Sequence, residues 1–341
     1  MPSRKSPSNL KRTPDEVGFA RLREVTDHLS FAPHRIGHLL DKTGRYHEPF
    51  DREFPFVIKL FRYTSRRHTR GATWHERLEL FLPLDGPARL RMGDDVVMLG
   101  AGDLLVVDNL KLHHVEDFPG FDTRVIVISF LPEFVYSLGS PSHDYAFLLP
   151  FYSKVDRRPH ILHAGDALAP AAADALAKLL QCYFADNVRQ FREAGCKAFT
   201  LEILYQLARQ FRASKVMKWE FCRQQERSLR LKGVFDHLST HFAERITLEG
   251  AAKLAKMSRP QFTRLFKSVA GMTFVAYLTH LRLTHSLRLL QETDNTIAEI
   301  AASAGFTDQS YFDKRFKKSF GESPREFRER QRATNENRPK L

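Results

Sequence analysis

The chain has 341 residues, 43% hydrophobic and 27% charged, with a formal net charge of +13, which is room for two or three domains of ordinary globular composition. No run of about 18 apolar residues occurs, so a transmembrane helix is excluded. Three cysteines (Cys182, Cys196, Cys222) without metal-type spacing fit reduced thiols better than a disulfide framework. The basic opening MPSRKSPSNLKRTP lacks the apolar core of a secretory signal, and a cytoplasmic location is expected. The charge sits at the ends. Residues 231–341 hold 19 Lys+Arg against 12 Asp+Glu, and Arg4, Lys5, Lys11 and Arg12 stand without an acid, so the C-terminal region suits a polyanion partner.

In chain order, residues 1–50 read as an N-terminal arm whose first dozen residues are expected to be disordered. Residues 51–135 carry short apolar runs (FPFVIKLFRY, RLELFLPL, ARLRMG, DVVMLG, DLLVVDN, TRVIVISF) separated by Gly, Pro and Asp turns. That spacing predicts a small antiparallel barrel or sandwich. Residues 136–228 turn helical in DALAPAAADALAKLLQCYF and CKAFTLEILYQLARQF. Leu201, Leu204, Tyr205, Ala208 and Phe211 suggest one apolar stripe. The polar stretch RASKVMKWEFCRQQERS reads as a linker or a linker plus helix. Residues 229–330 are helical in short segments, and 331–341 form a polar tail.

The last region repeats itself. AAKLAKMSRPQFTRLFKSVAG (251–271) and AASAGFTDQSYFDKRFKKSFG (301–321) align without a gap at an offset of 50, matching Ala251/Ala301, Ala252/Ala302, Phe262/Phe312, Phe266/Phe316, Lys267/Lys317 and Gly271/Gly321. Each copy reads as helix, tight turn, helix. Thr247 and Ser258 are the expected caps in the first copy, Thr296 and Asp308 in the second; Gly305 closes the second turn. Phe262/Phe266 and Phe312/Phe316 lie at i, i+4 as buried stripes, with Tyr311 expected beside the second. Gly271 and Gly321 end the second helices. The opposite faces are polar: Arg259, Gln261, Thr263, Arg264 and Lys267, then Gln309, Ser310, Asp313, Lys314 and Lys317. Between the copies FVAYLTHLRLTHSLRLLQ predicts one helix, roughly 28 Å long at about 1.5 Å per residue. Such a rod lets two reader helices enter adjacent major grooves, whose repeat is about 34 Å.

SRPQFTRLFKSVAG, RLTHSLRLL, TIAEIAASAGFTDQSYFDKRFKK and FGESPREFR resemble the DNA-binding domain of AraC/XylS-type transcription regulators over about Leu231 to Arg330. The resemblance implies that Arg259, Pro260, Thr263 and Arg264 in the first unit, and Gln309, Ser310, Asp313 and Lys314 in the second, face base edges. Ser286 stands where the family usually has Ala, and Pro260 occupies a first-turn position where proline is tolerated. By chemistry Arg264 suits guanine, Gln309 adenine and Asp313 a cytosine amino group. Lys267 and Lys317 suit phosphates. The resemblance further implies an N-terminal effector barrel, dimerisation through the middle helices, double-stranded DNA as partner and RNA polymerase as a candidate partner.

GATWHERLELFLPLDG (71–86) resembles the first cupin motif, with His75, Glu79 and Gly86 in place but Thr73 where the first histidine usually stands. GAGDLLVVDNLKLHHV (100–115) supplies Gly102–Asp103 and His113. His75, Glu79 and His113 are therefore candidate effector ligands, with Trp74 as a stacking wall for a sugar ring. On a regular strand His114 points to the opposite face from His113. Three such ligands also suit a metal with an open position, and a purely structural role stays open. The expected fold is α+β: a cupin-like barrel with dimerisation helices, then an all-α domain with two helix-turn-helix motifs joined by a long helix. The expected function is a sequence-specific DNA-binding regulator controlled by a small effector, possibly a sugar, with no catalytic residue, cofactor, metal or membrane partner. A metal-dependent cupin enzyme fused to a DNA-binding module is the alternative, and a barrel serving only as a scaffold a third reading.

Overall fold

The computed structural model describes residues 14–34, 39–46, 51, 53–63, 73–75, 77–93, 95–108, 112–119, 122–136, 144–152, 159–186, 188–211, 218–270 and 272–336. The first dozen residues, the linker at 212–217, Gly271 and the last five residues lie outside them.

The expected strands form: β2 (Phe56–Tyr63), β3 (Leu78–Pro83), β4 (Ala88–Met92), β5 (Asp95–Leu99), β6 (Leu104–Val107) and β8 (Thr123–Phe130). Three more complete the sheets: β1 (Ala32–Pro33), β7 (His113–Asp117) and β9 (Ile161–Leu162). A six-stranded sheet in the order β1-β2-β8-β3-β6-β9 faces a three-stranded sheet β5-β4-β7. Strand alternation sorts the side chains. Phe56, Ile58 and Leu60, Leu78, Leu80 and Leu82, and Ile126, Ile128 and Phe130 point outward to a helical layer. Tyr63, Phe81, Val125 and Val127 point inward and meet Leu90, Met92, Val97 and Leu99 of the smaller sheet. Glu79 alternates in phase with Phe81, and Ser129 with Val127, so both face the barrel interior.

The helical layer contains α1 (Pro14–Asp27), α2 (Leu149–Tyr152), α3 (Ala169–Phe184) and α4 (Arg189–Gln210). Within the stretch read as an arm, α1 is a packed helix. Its Leu22 enters the core, Arg21 bonds Asp174 at 3.1 Å, and Gly18 sits where a Cβ would lie 2.1 Å from the Pro170 carbonyl oxygen. On α4 the buried stripe is Cys196, Thr200, Ile203, Leu204 and Leu207, whereas Tyr205 is 51% exposed. The buried stripe is offset by one residue from the expected one, and it shares a core with the alanine-rich interior of α3.

The C-terminal region comprises α5 (Lys218–His241), α6 (Leu248–Leu254), α7 (Arg259–Ala270), α8 (Phe274–Glu292), α9 (Ile297–Ser303), α10 (Gln309–Phe320) and α11 (Pro324–Glu336). Two cores divide them. Phe235, Phe242, Phe262, Phe266 and Tyr277 build the first; Leu287, Ile300, Phe306, Phe312, Phe316 and Phe327 build the second. The first also takes in Trp74 and Leu112 from the barrel. The architecture is α+β, a β-rich N-terminal part followed by a helical helix-turn-helix part.

Candidate functional site

Two places gather the candidate functional side chains, and caps position the first. Thr247 accepts from the Gly250 N–H and starts α6. Thr296 and Glu299 form a reciprocal capping box at α9. Asp308 accepts from the Tyr311 N–H at 2.6 Å and starts α10, which Gly321 ends at φ +80°. At α7 the cap runs through the third residue: the Ser258 N–H and hydroxyl both donate to the Gln261 side-chain oxygen, at 3.2 and 3.0 Å.

Both turns close in the same way, and the bonds correct the repeat's register. The Lys256 N–H donates to Lys253 and the Met257 N–H to Ala252; the Gly305 N–H donates to Ala302 and the Phe306 N–H to Ala301. These are matching Schellman closures with an apolar residue just beyond. The first helices therefore correspond at an offset of 49, Ala252 with Ala301, while α7 and α10 correspond at 50. The second turn is one residue longer, and the Ala251/Ala301 and Ala252/Ala302 identities are not structural equivalents.

On the reader faces, Arg264, Lys267, Gln309, Ser310, Lys314 and Lys317 are exposed, as is Pro260 in the first turn of α7. Others on those faces already have bonds. Arg259 pairs with Glu249 at 2.9 Å, the Thr263 hydroxyl donates to the Arg259 carbonyl at 2.9 Å, and Gln261 serves as cap. Asp313 is half-buried, and burial pushes its carboxyl above the usual range despite a hydrogen bond from Gln309. Tyr311 is 49% exposed rather than part of the buried stripe. The aromatic place beside Phe312 is taken by Phe306, 5.1 Å away between ring centres.

Arg282 of α8 locks the two units together. Its guanidinium donates to the carbonyls of Phe242 and Glu244, both at 2.8 Å, beyond the end of α5. The turn at Gly305 lies against the same segment, with a Cβ there falling 2.5 Å from the Ala243 oxygen.

The second place is a cavity of about 90 Å³ inside the barrel, with His75, Glu79 and His113 at its polar end. Tyr46, Phe61, Tyr63 and Phe81 give it aromatic walls, and Lys59 and Arg77 add positive charge. All three expected ligands are buried. His75 Nε2 lies 3.2 Å from one Glu79 oxygen and His113 Nε2 4.0 Å from the other. The β3–β8 register puts Ser129 opposite Glu79, and its hydroxyl donates to the carboxylate at 3.1 Å. Burial, with the Arg77 charge, pushes His75 down to about 4, so it is neutral at neutral pH. Burial works to raise Glu79, but His75, His113 and Arg77 outweigh it and hold the carboxyl down to about 2.

Trp74 does not line this cavity. Its indole is fully buried against Phe235 of α5 and Tyr277 of α8, ring centres 5.8 and 6.3 Å away. Adjacent strand residues face opposite ways, so a lining His75 turns Trp74 outward. His114 departs from the expected alternation, since it and His113 both line the cavity; His113 is bonded on both sides, to Met92 and to Thr73. Sequence reading missed Tyr46, Arg77, His114 and Ser129. Arg77 lay inside the quoted motif, but Ser129 is signalled only by strand register.

A family model described as a helix-turn-helix domain matches residues 251–330. The chain is 26% identical over 255 residues to the helix-turn-helix-type transcriptional regulator YdeC of Bacillus subtilis, covering 74% of this chain and 83% of that one. The transcriptional activator RhaS of Escherichia fergusonii is 37% identical over 100 residues, and the activator RclR of Escherichia coli 41% over 86. Those matches span 29% and 25% of this chain and only 36% and 30% of the relatives. Among solved structures, ToxT of Vibrio cholerae aligns with a TM-score of 0.48 at 14% identity over 80% of this chain and 98% of that one.

Proposed function

We propose that the chain is a DNA-binding transcription regulator of the AraC/XylS type. α7 and α10 are its two readers, each entering the major groove of double-stranded DNA, one helical turn apart on one face. The observation that carries this is the matched pair of capped helices, joined by the 19-residue α8 and locked by Arg282 and the Gly305 turn. Arg264 and Gln309 read bases, while Lys267, Lys314 and Lys317 hold phosphates. Arg259, Thr263 and Gln261 first serve the helix itself, so they contribute less to readout than their positions suggest. Fluorescence anisotropy with the natural operator and a scrambled duplex tests this reading; equal affinity for both would sink it. Genome-wide footprinting supplies the operator.

The barrel cavity is the effector pocket, and the protein acts as a cytoplasmic regulator rather than an enzyme. Its walls favour a small anionic molecule, because Lys59 and Arg77 line it. The route outward is short. Tyr46, on the cavity wall, donates its N–H to the Trp74 carbonyl at 2.9 Å, and Arg45 beside it bonds Asp236 of α5 at 2.8 Å. Trp74 thus has the pocket on one side and the first reader's core on the other. Its Nε1 and the Tyr277 hydroxyl are buried with no hydrogen-bond partner among the described residues, a cost of about 1–3 kcal/mol each. An effector that favours the separated over the docked arrangement shifts the balance between them. The regulator acts as a homodimer through the exposed Phe184, Val188 and Phe191 around the α3–α4 turn. Sedimentation of Phe191→Glu tests that contact.

A further inference from the structure

We propose that His75, Glu79 and His113 hold a divalent transition-metal ion, so that the effector pocket of this regulator is built around a metal centre. Their ligand atoms lie within 4.8 Å of one another and all three residues are buried, so small side-chain rotations bring one ion within about 2.0–2.2 Å of each.

The decisive observation is where protons can be. His75 Nδ1 lies 3.2 Å from the Arg77 carbonyl oxygen, which can only accept, and a neutral imidazole has a single hydrogen for its two nitrogens. With the hydrogen on Nδ1, the buried Nε2 presents a lone pair. It faces a Glu79 carboxylate oxygen at 3.2 Å, another lone pair, and the other tautomer donates to Glu79 but leaves Nδ1 facing the Arg77 carbonyl instead. Two acceptors turned toward each other in a buried site repel unless a cation lies between them. A second proton on the ring would make a buried imidazolium; a metal ion on Nε2 satisfies His75, Glu79 and His113 together.

The surroundings match those of a metal ligand set. An imidazole that binds metal through one nitrogen donates from the other to a carbonyl or carboxylate, and ligating carboxylates are themselves hydrogen-bonded. Arg77 and Ser129 provide both contacts here, through the carbonyl and the hydroxyl. Two imidazoles and one carboxylate suit zinc, iron or manganese, whereas magnesium and calcium favour oxygen-rich sites. Three protein ligands leave a coordination position facing the cavity. Metal binding is independent of whether the barrel senses an effector, and the test keeps the two questions apart.

Full-length protein is stripped with chelator, incubated with each of zinc, manganese and ferrous iron, passed through gel filtration and assayed for bound metal. The expectation is about one ion per chain in the wild type, lost in His75→Ala and in Glu79→Gln. Ser129→Ala leaves every ligand in place and is expected to weaken affinity about tenfold or more. Circular dichroism and binding to non-specific DNA show whether each variant is folded. Wild type that retains no metal from any of the three, or folded His75→Ala and Glu79→Gln that retain as much as wild type, would overturn the proposal.

Discussion

In the first helix-turn-helix unit the turn is closed by Lys256 at φ +53°, in the second by Gly305 at φ +86°. The backbone requirement is the same, but the neighbourhood differs. Lys256 is exposed, so its side chain projects into open space and only the left-handed strain remains. Gly305 presses on the Ala243 backbone, where no Cβ fits. The units differ again in what completes their cores. The first borrows Trp74 and Leu112 from the barrel; the second closes on itself with Phe327 of α11, whose start is capped by Ser323 and Glu326. A repeat that is nearly symmetric in sequence is thus asymmetric in connection: among the described residues one helix-turn-helix unit shares a core with the barrel and the other does not.

Breaking that shared core should have the largest effect. Trp74→Ala is expected to cost about 3–5 kcal/mol in denaturant unfolding. Hydrogen exchange should rise in α5 to α7 and stay unchanged in α9 and α10. Unaltered protection in the first unit would mean that the barrel does not support it. Next comes Gly305→Ala, which combines left-handed strain with a backbone collision and should cost more than about 1–2 kcal/mol. Lys256→Gly, the mirror experiment, should lie within about 1 kcal/mol of wild type, and denaturation curves of the two variants give the contrast directly.

The readers themselves allow a third comparison. Arg264→Ala should cost about 1–3 kcal/mol on the operator and much less on scrambled DNA. Lys317→Ala should weaken both alike and reduce the salt slope of log K by about 0.9. The smallest effect belongs to Asp313. Its pKa is raised by burial, so the ionised carboxylate destabilises the fold at neutral pH, and that cost fades as pH falls toward its ordinary value of 3.8. Asp313→Asn should therefore be slightly more stable than wild type at pH 7 and lose that advantage in acid. Solvent screening keeps the gain small.

Much was legible from neighbours along the chain. Strand runs from Phe56 to Phe130, the caps at Thr247, Thr296 and Asp308, and the paired phenylalanines are local patterns set by alternation, helical periodicity and backbone hydrogen bonding. Polar faces on α7 and α10 follow from the same periodicity. Two overlapping apolar stripes fit α4, and only the packing of the shared core chooses between them. The repeat offset was misplaced for a related reason. Alanine pairs match at 50 by composition, while the Schellman bonds, which sequence does not display, set the first helices at 49.

By itself the sequence determined that this chain carries two capped helix-turn-helix units on a common rod after a β-rich half, and that histidine and glutamate recur at ligand-like spacing. Those are short-range properties, fixed by residues a few positions apart. Tertiary structure alone decided that Ser129 stands opposite Glu79, that His113 comes within 4.0 Å of the same carboxylate, and that Trp74 turns from the cavity to the first reader. Each depends on register or docking between segments 34 to 203 residues apart, where one residue of slip reverses which way a side chain faces.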